Sequence, residues 1–237
     1  MDAVSLKLRR ANRRLTSGKT DPETWADQFH EELLSGHLKA LELGAQRAGN
    51  RKWRGKGAPP AGYYSVDDWQ DENGDWFQGL GAIARGKADE ETQFLHGYTD
   101  SDGKDHRGFL NDLKEHDPRY WDEESGKWKP GSLDSRTGLY VGKMRGSANE
   151  SFVETSPEES LFTWTLGPTE HCPDCVEYAA ILVDRPRDEF FAYPGAGDSV
   201  CLGNCGCRVV RHDGVSGFGH HGRDYEPDDA ETGAITG

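Results

Sequence analysis

Residues 164–210 read WTLGPTEHCPDCVEYAAILVDRPRDEFFAYPGAGDSVCLGNCGCRVV and hold all five cysteines, as Cys172-x2-Cys175 and Cys201-x3-Cys205-x-Cys207. Two short-spaced cysteine groups some 25 residues apart are how one chain delivers two pairs of thiolates to one tetrahedral ion. Four soft donors in a closed shell suit Zn²⁺ and imply no redox cofactor. The candidate ligands are therefore Cys172, Cys175, Cys201, Cys205 and Cys207, five sulfurs for four positions. Cys172 and Cys175 form one pair, and two of the other three complete the shell. Cys207 stands so close to Cys205 that it reads as a spare or a substitute. His171 is an outside candidate whose adjacency to Cys172 makes joint ligation awkward. Disulfides, and reduced thiols without metal, are the competing readings. A disulfide framework would leave one of five thiols over.

Around the cysteines, 161–166 alternate as a strand, 174–182 suit a short helix, Pro194-Gly195-Ala196-Gly197-Asp198 is a return turn, and 207–210 form a closing strand. Gly203 and Gly206 give the second cysteine group backbone freedom. Residues 156–211 thus read as a small zinc-binding α/β module. So small a unit seldom holds together by burial alone.

The chain before it is predicted mainly helical over 20–155. Thr20 and Glu23 can form a capping box, with Pro22 at an early helical position. Trp25, Phe29, Leu33, Leu34, Leu38 and Leu41 then line one face. His30 and His37 lie seven apart without an acidic partner pattern and are expected at the surface. Short helices are expected at 76–84 and 89–98, and a longer one over 132–153 with Leu133, Leu139, Tyr140 and Met144 inward. Residues 101–130 read as a polar insertion, with Trp121 and Trp128 flanking a turn in an exposed hairpin or ordered loop. Residues 50–62 are a Gly/Pro-rich basic loop around Trp53. Asp71-Glu72-Asn73-Gly74-Asp75 and Asp100-Ser101-Asp102-Gly103 read as turns, lacking the residue order and terminal Glu of a calcium loop. Asn149-Glu150-Ser151 is a formal glycosylation sequon. The fold class expected is α+β, mainly α, with a flexible tail over 212–237.

Mean hydropathy is −0.85. With 34% hydrophobic residues and 30 glycines among 237, a modest core and long surface segments are expected. The net charge is −14, yet residues 1–60 carry more cations than anions, so the acidity lies entirely beyond them. A basic front and an acidic back suggest two different neighbours. Lys7, Arg9, Arg10, Arg13 and Arg14 make residues 1–19 a basic arm, suited either to DNA phosphates or to an acidic protein. The first residues show neither an apolar h-region nor a cleavage site, and no run of about 18 apolar residues occurs. The expectation is a chain made in a cytoplasm, thiols reduced, with no membrane partner.

HCPDC, PGAGD and CLGNCGC together resemble the C-terminal signature of minor head proteins of tailed phages, the Mu F-like head morphogenesis family. Members commonly read C-x-x-C, a Pro-Gly turn, and a C-x-C preceded by Asn. Residues 20–49 resemble the family's long amphipathic helix, Gln93-Phe94-Leu95 with Gly97-Tyr98 its second, and Gly131-Ser132-Leu133 with Arg136 and Leu139-Tyr140 its third. Many members carry a His before the last cysteine pair; Cys201 stands nearby here. The resemblance implies a structural virion protein of the head, near the portal or inner shell, with portal and major capsid proteins as partners and packaged DNA as a further contact through the arm. Alternatives are a capsid decoration or cement protein, and a zinc-containing HNH-like nuclease using His220 or His221.

Other enzyme readings carry less. Gly217-x-Gly219-x-x-Gly222 matches a dinucleotide fingerprint but lacks a βαβ context. Cys172-Pro173-Asp174-Cys175 has the spacing of a redox pair without a thioredoxin-like unit around it. No Ser/His/Asp pattern or paired carboxylate stands out, so the expectation is a non-enzyme.

Overall fold

The computed structural model describes residues 2–49, 74–167, 170–197, 199 and 205–219. The fold is α+β and mainly α, 57% helical with small sheets. Trp53, the 50–62 loop, Asp71 to Asn73, Cys201, Gly203, His220 and His221 lie outside the described residues.

Residues 1–19 were expected as an arm, but they supply helix α1 (Asp2–Thr16) of the main bundle. Val4, Leu8, Ala11 and Leu15 recur three or four apart, and all are buried in the principal core. The cations dominate the composition of this stretch, but its apolar spacing decides its place. Burying Leu8 and Leu15 contributes about 1.5–3 kcal/mol each, enough to hold α1 down.

Helix α2 (Pro22–Gly49) starts one residue later than a Thr20 cap implies. Asp21 is the cap: its Oδ1 accepts the Thr24 N–H at 2.8 Å and its Oδ2 the Thr24 hydroxyl at 2.7 Å. Trp25, Phe29, Leu33 and Leu41 are fully buried as expected. A second stripe decides the packing. Gly36, Ala40, Gly44 and Ala48 fall four apart and leave a flat strip for helix α5 (Pro130–Glu154). Met144 fills the space above Gly36, and the Ala148 carbonyl rests on Gly44. A Cβ at Gly44 would overlap that carbonyl oxygen and sit 2.8 Å from Ser151 Cβ. Gly44→Ala is therefore expected to lower stability by about 1–3 kcal/mol through overpacking, although Ala is the better helix former. The denaturation midpoint measures this; an unchanged or raised midpoint contradicts the close contact.

Helix α3 (Gly74–His96) is one helix where two short ones were expected. It brings Glu91 to His37, which is buried rather than at the surface. His37 Nδ1 lies 2.8 Å from Ser147 Oγ and Nε2 3.2 Å from Glu91 Oε1, so α2, α3 and α5 meet on one polar network. The acid that partners His37 comes from 54 positions along the chain, beyond any local pattern. Glu91→Gln keeps the shape and removes the charge facing His37. It is expected to cost about 1–3 kcal/mol in thermal or denaturant unfolding, and no change would mean the pair contributes nothing.

Residues 101–130 are not a separate insertion. Strands β1 (Gly97–Thr99) and β2 (Asp105–Arg107) form a hairpin, helix α4 (Phe109–Lys114) follows, and β3 (Trp121–Asp122) pairs with β4 (Lys127–Trp128). Phe109, Leu110, Leu113 and Tyr120 join the main core, with Phe109 edge-on to Trp25 at 5.6 Å. Trp121 and Trp128 do face each other across the expected hairpin, 5.0 Å between rings. The Asp100 turn is a turn: its Oδ1 accepts the N–H groups of Asp102 and Lys104.

The C-terminal part is a three-stranded antiparallel sheet in the order β6-β5-β7, from β5 (Leu161–Thr165), β6 (Arg185–Pro186) and β7 (Arg208–Arg211). Helix α6 (Pro173–Ile181) lies between β5 and β6 in sequence. Its core continues into the helices, since Ala45, Ala48, Phe152 and Val153 pack with Phe162, Trp164 and Val209. The tail expected from 212 is tied down through 219. The His212 N–H donates to Leu161 O, Gly217 N–H donates to Val209 O, and Asn149 holds both N–H and C=O of Phe218. Asn149 is thus fully buried, which rules out the sequon as a glycan acceptor in this fold. No helix among the described residues is long and apolar enough to cross a membrane.

Candidate metal centre

Cys175 enters from the first turn of α6, with Cys172 as that helix's N-cap residue and Pro173 at its start. Pro at the first helical position and an extended Cys172 backbone (φ −71°, ψ 159°) turn the Cys-Pro-Asp-Cys loop back on itself. Cys205 and Cys207 lie just before β7. Because β7 pairs with β5, Cys207 is carried beside Gly167, where β5 has ended. The two loops touch: a Cβ on Gly167 would overlap the Gly206 carbonyl oxygen.

The sulfurs of Cys175, Cys205 and Cys207 all lie within 4.8 Å of one another, and all three residues are buried. Cys175 Sγ and Cys205 Sγ are 3.5 Å apart. With Zn–S near 2.3 Å, a tetrahedral edge is about 3.8 Å, so this spacing suits joint ligation. It does not suit a disulfide, whose S–S length is about 2.05 Å. Cys207 therefore lies within the central group of three sulfurs. This buried cluster can hold a metal ion.

Among the described residues, two neighbouring candidates remain for a fourth vertex. Cys172 is half-buried and packs against the same cluster. His171 Nδ1 lies 3.7 Å from Cys207 Sγ, while its Nε2 is 2.9 Å from the Gly167 carbonyl. An Nε2–H donated to that carbonyl leaves the Nδ1 lone pair facing the sulfurs, the usual support for a ligating imidazole. Changing His171 and Cys172 together is expected to give a protein that loses its ion to a weak chelator while the parent keeps it. Retention by the double variant would place the fourth donor elsewhere.

The cluster is electrostatically uneven. Cys207 is pulled below the ordinary thiol value, first by the hydrogen bond from Cys205, with Trp164 and the Gly167 backbone adding to the effect. The same pairing with Cys207, together with burial, pushes Cys205 up. The thiolate is the form that binds metal, so protons leave as an ion enters. Ion retention consequently weakens as pH falls.

No protein-family model, no curated protein and no solved structure matches this chain. What the centre does must be argued from its own surroundings.

Those surroundings include residues that no local motif marks. Arg211, at the end of β7, is 1% exposed. It donates to Ala48 O at 2.8 Å and Ser156 Oγ at 3.0 Å, and grips both carboxylate oxygens of Asp213 at 2.9 Å. It joins the strand that leaves the cysteines to the C-terminal ends of α2 and α5. The expected Pro-Gly turn also docks there. Gly195 and Gly197 take φ of +87° and +111°, and a Cβ on Gly146 of α5 would strike the Ala196 backbone. Asn149 Nδ2 donates to Pro194 O at 2.9 Å. Arg211 has only its position in a strand to mark it, and Gly146 and Asn149 read as ordinary helix residues, so single-sequence reasoning had no signal for them.

Proposed function

We propose that the chain is a non-enzymatic structural component of a tailed-phage head, near the portal or inner shell, in which one Zn²⁺ clamps the C-terminal loops onto a helical bundle. The observation that carries the reading is the buried meeting of Cys175, Cys205 and Cys207 on the ends of α2 and α5. These cysteines belong to the CPDC and NCGC groups on which the resemblance to head morphogenesis proteins rests. A closed sulfur site under a hydrophobic core suits a structural ion, since a catalytic zinc needs an open position for water or substrate. Zinc is the metal proposed because three or four thiolates select a soft, redox-silent ion. The neighbours implied are the portal and the major capsid protein.

The test is recovery of a tagged chain from cells assembling particles. The tag is expected in purified heads and to remain with them after DNA release. Its recovery only in the unassembled soluble fraction would contradict the head assignment.

A further inference from the structure

We infer that the outward face of α1 is a binding surface for the phosphate backbone of double-stranded nucleic acid, engaged without reading sequence. Charge and geometry support this assignment. It depends on the head reading only for naming the nucleic acid as the packaged genome.

Val4, Leu8, Ala11 and Leu15 define the buried side of α1. At about 100° per residue, Arg9, Arg13 and Arg10 then spread over the opposite side, with Arg14 on its flank. All four arginines are exposed. They stand as two adjacent ridges, Arg9 with Arg13 and Arg10 with Arg14. Within each ridge the two residues are four apart, a rise of about 6 Å along the axis.

None of the four has an ion-pair partner among the described residues. Their neighbour Lys7 is paired with Glu32 at 2.9 Å. In a chain of net charge −14, with 42 acidic residues, four exposed arginines on one helix with no ion-pair partner among the described residues are available to an external anion. The face is also held rigid. Trp25 Nε1 donates to Asn12 Oδ1 at 3.1 Å, and Asn12 Nδ2 donates to Asp134 Oδ1 at 2.7 Å, so α1 is pinned to α2 and α5 before any ligand arrives.

The chemistry favours phosphate. Every cation on the face is a guanidinium, whose planar fork takes two oxygens at once. No aromatic side chain lies on α1, so there is no platform on which to stack an unpaired base. Exposed arginines that grip phosphate oxygens position a duplex without carrying sequence information. The excess of acidic residues lies beyond residue 60 and disfavours a polyanion there.

The test is fluorescence polarisation of the full-length protein with a labelled 20-base-pair duplex of arbitrary sequence, over a salt series. Four neutralised phosphates predict a slope of log K against log salt of about −3.6. A second duplex of unrelated sequence should bind within about twofold. The variant with Arg9, Arg10, Arg13 and Arg14 all changed to Gln keeps α1 amphipathic. It is expected to bind at least tenfold more weakly with a slope near zero, its helical circular dichroism unchanged. If that variant fails to fold, Arg9→Gln and Arg14→Gln singly should each lower the slope by about 1. Equal binding by parent and folded variant overturns the inference. So does absence of binding to the duplex accompanied by salt-sensitive self-association or polyglutamate binding that the variant lacks, which would assign the face to an acidic protein surface. Neither result bears on zinc content or on recovery in heads.

Discussion

Cys175→Ser combined with Cys207→Ser is expected to yield a metal-free protein whose residues 156–219 are open to protease at room temperature. These two sulfurs come from different loops, and both point into the core shared by Phe162, Trp164, Leu182 and Val209. Removing them leaves neither loop able to hold an ion alone. Structural zinc sites contribute apparent binding free energies of about 10–16 kcal/mol, which equals or exceeds the whole stability of a typical domain. The effect should spread unevenly. Helix α1, the first half of α2 and helix α4 sit in the principal core and should persist. The last turns of α2 and α5 pack on the cysteine module through Ala45, Ala48, Phe152 and Val153, so they should fray with it. Limited proteolysis with mass mapping is the measurement. Cuts confined to 156–219 and the ends of α2 and α5 fit the clamp; a protection pattern like that of the parent does not.

The second large effect is expected from Arg211→Ala, about 3–5 kcal/mol in urea or thermal unfolding, because one partner of a buried charged network is removed. The guanidinium satisfies Ala48 O, Ser156 Oγ and Asp213 together and lies over the Phe152 ring at 5.5 Å. Alanine replaces none of these contacts. Arg211→Lys keeps the charge but loses the fork, and should recover only part of the loss. The pH dependence has a definite sign. Burial pushes Asp213 up, but Arg211 outweighs it and holds the carboxyl below its ordinary value of 3.8. A depressed carboxyl stabilises the fold above pH 3.8 and loses that contribution as pH falls through its folded value. The parent should therefore destabilise faster than Arg211→Ala on acidification below pH 4. Parallel curves for the two proteins would mean that the pair contributes nothing.

Much of this architecture was legible in the chain because it is local. The spacing of Trp25, Phe29 and Leu33 shows α2, the alternation at 161–165 shows β5, and Cys172-x2-Cys175 marks a knuckle. What stayed hidden depends on residues far apart. Charge drew attention away from the apolar stripe of α1, whose meaning becomes clear only with α2 and α5 to bury it. His37 read as a surface residue because Glu91 and Ser147 come from other helices. The polar look of 101–130 concealed Phe109, Leu110 and Leu113, three apolar residues that suffice to seat a six-residue helix in the core. For the candidate centre, the cysteines were evident but their ranking was not. Spacing made Cys207 a spare, whereas the pairing of β7 with β5 makes it central.

The most direct measurement is metal and thiol content of the full chain purified under reducing conditions without chelator. Elemental analysis is expected to find about one zinc per chain, with Cys175, Cys205 and Cys207 protected from alkylation until the zinc is removed. Absence of any bound metal, with these three thiols alkylated at the same rate before and after chelator treatment, would contradict the clamp.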